Sequence, residues 1–318
     1  MANDLITVLR AGLKFPIIAV ILGLSGACAT GETRTGETGP VENPALKDSW
    51  KFTETLPEEY RRGSFNIVGG KVFEITASGL SKAAIDPARA GARLGEGRRI
   101  IAIHGTMYDP DAPGLDNPHL TIFQVIRARL GDRAALTGIG WPSAPFSAEN
   151  LGAAWGKGRL GWYGLAQENA SDTAAPLAAI LAQTRAPYDV ICHSLGCDIL
   201  RRLLREGRAH PRRVLMLAPD TDYADMARWS RETGTPVLQV SAARDGILGF
   251  GQYAKANRDH APPRRDGPYR AILIDVDHYL PGQARFSADY LNARRYLDHM
   301  AVLEIPELWP HYLKFLGD

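Results

Sequence analysis

Residues 188–204 read Tyr188-Asp-Val-Ile-Cys192-His193-Ser194-Leu195-Gly196-Cys197-Asp-Ile-Leu-Arg-Arg-Leu-Leu204. An apolar strand over 188–192 runs without a linker into Cys192-His193-Ser194-Leu195-Gly196. It leaves as a helix whose Ile199, Leu200, Leu203 and Leu204 share one face. A serine just before a helix is most often an N-cap, its oxygen satisfying a free amide of the first turn. Here the strand enters the turn directly, and small residues stand on both sides at Cys192 and Gly196. That context predicts a serine lifted out of the sheet at a sharp turn, beside a helix N-terminus that favours developing negative charge.

Working outward, β-rich runs occur at 64–68, 71–76, 98–103, 134–140, 188–192, 213–217, 236–241 and 271–276. Several are continuous apolar runs, as expected of strands covered on both faces. Helical patterns lie between them at 119–131, 170–185, 196–207, 222–233 and 288–301, with a last one near 306–316. This alternation predicts one α/β domain over 50–318, with about eight strands in a mostly parallel sheet and helices on both faces. Gly69-Gly70 between the first two runs predicts a hairpin and an antiparallel start.

The strand-Cys-His-Ser-Leu-Gly-helix segment resembles the nucleophile elbow of the α/β-hydrolase superfamily, with cysteine at the first small position where glycine is usual. The resemblance covers residues 64–318 and implies Ser194 as nucleophile, with the amide of Leu195 as one oxyanion donor. An aspartate would stand at this position in the dehalogenase branch. Ile103-His104-Gly105-Thr106, after the third strand, is similar to the family's oxyanion loop and implies the Thr106 amide as the second donor. The family order is serine, acid, histidine. Asp245, just past the seventh strand, is the expected acid, with Asp220 and Asp222 after the sixth strand as rivals. His278, just past the eighth strand, is the expected base. His260, His299 and His311 fall in a basic loop or on helices, and His193 is assigned to packing. Cys192 and Cys197 read as small buried hydrophobes, not a redox pair. Gly140-Trp141-Pro142-Ser143 resembles a segment found in some bacterial hydrolases and names no substrate.

In 318 residues, 45% hydrophobic and 23% charged side chains exclude a disordered chain. A balance of 37 basic against 35 acidic residues is too even for a nucleic-acid protein. Three cysteines without a CxxC or His/Cys cluster suggest neither a disulfide framework nor a metal site, and no cofactor is expected.

Residues 1–28 carry basic residues at Arg10 and Lys14, then the apolar run 15–24, too short to span a bilayer. This is the pattern of a signal peptide. Leu24-Ser25-Gly26-Ala27-Cys28 resembles a bacterial lipobox with leucine four residues before the cysteine, implying lipidation of Cys28 and a membrane tether. The other readings are cleavage after Ala29, leaving Thr30 first, and an uncleaved anchor. The first two predict export: a periplasmic or outer-membrane-attached lipoprotein, or a secreted protein. Residues 29–49, with a repeated Thr-Gly-Glu-Thr and few large apolar side chains, read as a flexible tether.

Two stretches are long enough to cap a site. Residues 141–170 place Trp141, Phe146, Trp155, Trp162 and Tyr163 on a glycine-rich connection, and 255–270 form a basic, proline-rich loop. The function implied is a serine carboxylic-ester hydrolase acting on a small-molecule ester through an acyl-enzyme. The alternatives are amide or thioester cleavage, acyl transfer by the same triad, and a hydrolase-fold lipoprotein that only binds.

Overall fold

The computed structural model describes residues 41–42, 51–52, 64–76, 79–80, 84–94, 97–110, 117–143, 161–184, 186–243, 245, 248, 265–275 and 299–317. All lie in the second of the two units into which the chain divides, Pro40–Asp318. The expected signal segment with Cys28 falls outside the described residues. β1 (Val41–Glu42), within the expected tether, pairs antiparallel with β2 (Lys51–Phe52), at the start of the expected domain.

The main sheet contains β3 (Phe65–Val68), β4 (Lys71–Thr76), β5 (Gly79–Leu80), β6 (Arg99–Ile103), β7 (Ala135–Gly140) and β8 (Tyr188–His193). It continues with β9 (Val214–Leu217), β10 (Val237–Ala242), β11 (Arg265–Asp266) and β12 (Tyr269–Ile274). The spatial order is β11-β12-β10-β9-β8-β6-β7-β3-β4-β5. Neighbours from β3 through β12 are parallel, while β4, β5 and β11 join antiparallel at the edges. Setting aside the two-residue edge strands β5 and β11, eight strands remain. The expected fold, an open and mostly parallel α/β sheet with helices on both faces, is the one observed.

Successive side chains of a strand point to opposite faces, and here both faces are dry. Ile100, Ala102, Ile191, Leu215 and Leu217 join one apolar layer, packed against the helix Ile122–Leu130 and the C-terminal segment with Val302 and Trp309. Ile101, Ile103, Val190, Cys192, Val214 and Met216 join the other. There they meet the helices Gly161–Ala182 (α3), Gly196–Arg205 (α4) and Tyr223–Thr233 (α5); α1 is Pro87–Ala92 and α2 is Ile122–Leu130. Each fully buried Ile or Leu contributes about 1.5–3 kcal/mol relative to leaving it exposed, so this double coverage is what makes the strand ends rigid platforms.

Local signals set the boundaries. Asp222 caps α5 by accepting from the Asp225 amide at 3.0 Å, and α5 ends at Gly234 in the left-handed region. Asp86 caps α1 in the same way, with Pro87 at the first helical position. The longest departure from the sequence reading is α3. It begins at Gly161, so Tyr163 of the expected glycine-rich connection is helical.

Candidate active site

Ser194 follows the last residue of β8 and adopts φ +51°, a left-handed backbone for a non-glycine residue. Such a conformation costs about 1–3 kcal/mol and persists only where its surroundings hold it. Here the Ser194 amide donates to the Leu217 carbonyl at 3.0 Å, and the Ser194 carbonyl accepts from Cys197 and Asp220 amides, each at 3.0 Å. The end of β9 thus braces the turn. Leu195 leads into α4, whose first residue Gly196 lies so close to the loop after β6 that a Cβ would collide with the His104 carbonyl oxygen. A Cβ on Gly105 would collide with the Ser194 Cβ. The elbow and the His104-Gly105-Thr106 loop therefore interlock, with Ser194, Leu195 and Thr106 all buried.

The expectation that Cys192 and Cys197 are unbridged is corrected by the structure. They form a disulfide across the elbow, with Cα atoms 5.0 Å apart. The sharp turn at Ser194 folds the chain back enough to bring the end of β8 and the first turn of α4 within bonding range.

Asp245 stands three residues beyond β10. Its Oδ1 accepts the Leu248 amide at 2.9 Å, and its Oδ2 accepts from His299 Nδ1 at 2.7 Å. Both side chains are almost wholly buried, 2% and 4% exposed for Asp245 and His299. The His299 ring lies 4.8 Å from that of His193, the residue directly before Ser194. His299 Nε2 is buried and finds no hydrogen-bond partner among the described residues.

His278, the expected base, lies outside the described residues, as does His260. His299 was assigned to a helix; instead it sits in a turn just before the helix Ala301–Glu304. The apolar run Met300-Ala301-Val302-Leu303 was the available sign that this histidine is buried. The rival acids are otherwise engaged. Asp222 is the α5 cap, and Asp220 receives the Tyr163 hydroxyl. Burial and the adjacent Asp220 charge hold that hydroxyl protonated far above the ordinary tyrosine range. Trp141 and Ser143 pack around the loop after β6. The Trp141 ring stacks on His104 at 5.3 Å, and the Ser143 carbonyl accepts the Met107 amide at 2.9 Å.

No cluster of three or more His, Cys, Asp or Glu able to hold a metal occurs among the described residues, and no described helix is long and apolar enough to cross a membrane. Neither a family model nor a curated protein matches the chain. Among solved structures, the chain is similar to TT1662 from Thermus thermophilus, at 17% identity over 68% of this chain and 90% of that one, TM-score 0.34. It is also similar to a serine hydrolase involved in carbazole degradation, the CarC enzyme (10% identity, 70% and 92% covered, TM-score 0.37). A third is dienelactone hydrolase from Anabaena variabilis (12%, 69% and 88%, TM-score 0.35). Likeness at this level concerns the fold alone.

Proposed function

We propose that this chain is a serine hydrolase of carboxylic esters whose triad is Ser194, His299 and Asp245. The observation that carries the reading is the buried His299–Asp245 pair at 2.7 Å, set beside the elbow that displays Ser194. The imidazole that donates from Nδ1 to a carboxylate keeps its lone pair on Nε2, the nitrogen that takes a serine proton. In this reading His299, and not the expected His278, is the base, because Asp245 accepts from its Nδ1.

In the reaction, Ser194 Oγ attacks the ester carbonyl carbon as His299 Nε2 accepts its proton. The amides of Leu195 and Thr106 receive the developing oxyanion. His299 returns the proton to the departing alcohol, leaving an acyl-serine. Water, deprotonated by the same nitrogen, then attacks the acyl carbon and releases the acid. Asp245 orients the ring and stabilises the imidazolium without taking the proton.

The N-terminal pattern supports export, with Cys28 as the site of lipid attachment. The Cys192–Cys197 bridge is in keeping with an oxidising compartment. The test is turnover of a short-chain chromogenic ester together with fluorophosphonate labelling, for wild type and Ser194→Ala. Hydrolysis and labelling that both vanish in the variant uphold the reading. Activity confined to amide or thioester substrates would reassign the leaving group, and an unlabelled, inactive wild type would overturn the hydrolase itself.

A further inference from the structure

His104 follows the last residue of the apolar strand β6 and is fully buried. Its two ring nitrogens have different partners. Nε2 lies 2.9 Å from the Trp141 amide, and an amide can only donate, so Nε2 is an acceptor. The ring proton of the neutral imidazole is then on Nδ1, which lies 2.8 Å from the Gly105 carbonyl oxygen and donates to it. The indole of Trp141 closes the unit, donating from Nε1 to the His104 carbonyl at 3.0 Å while stacking on the ring with the planes 15° apart. Phe123 and Tyr108 approach the same ring by their edges.

The Gly105 carbonyl and the Thr106 amide belong to one planar trans peptide, in which C=O and N–H point in opposite directions. Whatever fixes the one fixes the other. We propose that His104, held in its Nδ1–H tautomer by the Trp141 amide, is a positioning residue that aims the Thr106 N–H away from its own ring and into the oxyanion hole. The interlock of Gly105 with Ser194 brings that peptide to the nucleophile. Without the Nδ1 donor, the 105–106 peptide is free to turn, and one of two oxyanion donors is lost although Thr106 itself is unchanged. The inference rests on the reading of Thr106 as an oxyanion donor.

The two roles of the ring separate by substitution. His104→Gln can reach the Trp141 amide with its side-chain oxygen but loses the donor at the Nδ1 position. His104→Asn can retain a donor to the Gly105 carbonyl. His104→Gln should lower kcat on the ester about 10- to 100-fold with KM within about threefold, because an oxyanion donor acts on the transition state. The rate of fluorophosphonate labelling should fall in parallel, and His104→Asn should recover most of both. Equal losses in the two variants, or a His104→Gln enzyme with unchanged kcat, would overturn the proposal. Nitrogen NMR of the wild-type protein supplies a readout independent of activity. A proton on Nδ1 with a bare Nε2 is expected, and a proton on Nε2 would overturn the proposal even in a protein that folds and turns over normally. A wild-type protein inactive toward ester and fluorophosphonate would instead overturn the hydrolase reading, while the NMR result still decides the tautomer.

Discussion

The two ends of β8 bury charged or polar side chains in opposite ways. At the amino end, Asp189 is fully buried and its carboxylate is matched by Arg212, with Nη2 at 2.6 Å and Nε at 3.2 Å, and by Arg98 at 3.8 Å. At the carboxyl end, the His193 ring lies 4.8 Å from that of His299, which donates to the buried Asp245 carboxylate and keeps a second buried nitrogen without a hydrogen bond among the described residues. One six-residue strand thus carries a closed ion pair near its start and lies beside an open His–Asp pair at its end. A closed pair supports the fold, since removing either partner strands a charge in low dielectric. The open pair leaves one imidazole nitrogen without a partner among the described residues, as the proposed general base requires.

The comparison breaks most visibly at the open end. Asp245→Asn keeps the size of the side chain but favours the wrong imidazole tautomer, so kcat on an ester should drop by about 10⁴ with little change in thermal stability. Asp220→Asn, which alters the acceptor of the Tyr163 hydroxyl, should fall far short of that loss. Comparable losses in both variants would reassign the acid.

At the closed end the expectation is reversed. Arg212→Ala should cost about 3 kcal/mol of stability, measured by urea unfolding, while kcat at a permissive temperature stays within about twofold. A loss of activity at unchanged stability would mean that the two ends of β8 are coupled.

Much of this organisation is legible in residues 188–204 and their neighbours. The eight principal strands lie within two or three residues of the runs read from sequence, because strands buried on both faces are continuous apolar segments that periodicity marks clearly. Ser194 and the His104-Gly105-Thr106 loop are equally visible, since each is a local pattern whose geometry follows from a strand, a turn and a helix. What stays hidden depends on contacts distant in sequence. Asp245 and His299 are 54 residues apart, and the apolar run after His299 marks it as buried without tying it to that acid. The bridge of Cys192 to Cys197 depends on how tightly the elbow turns, which the spacing alone does not reveal. The early start of α3 is a tertiary override: Gly161 and Gly164 are poor helix formers, and Tyr163 is held by Asp220 and the packing beneath it.

A smaller effect sharpens the contrast from outside the strand. His119 is buried and hydrogen-bonded to Asn66 at 2.6 Å, and burial lowers its titration from 6.5 to about 3. Between those values the unfolded chain binds the proton and the folded chain does not, so stability falls as pH drops through that window. Thermal unfolding at about pH 8 and about pH 4.5 should show a larger drop in Tm for wild type than for His119→Gln, which has no such proton to refuse. Equal drops would place the acid sensitivity elsewhere.

In the proposed mechanism the nitrogen left bare by Asp245 belongs to His299 and serves Ser194. This claim is tested most directly by ester turnover and fluorophosphonate labelling of His299→Ala and His278→Ala, with folding checked by circular dichroism. His299→Ala should lose on the order of 10⁶ in kcat, no deeper when Ser194→Ala is added, since the two groups share one step. His278→Ala should stay within about threefold of wild type. A folded His299→Ala enzyme that keeps its rate, beside a His278→Ala enzyme that loses it, would contradict the claim.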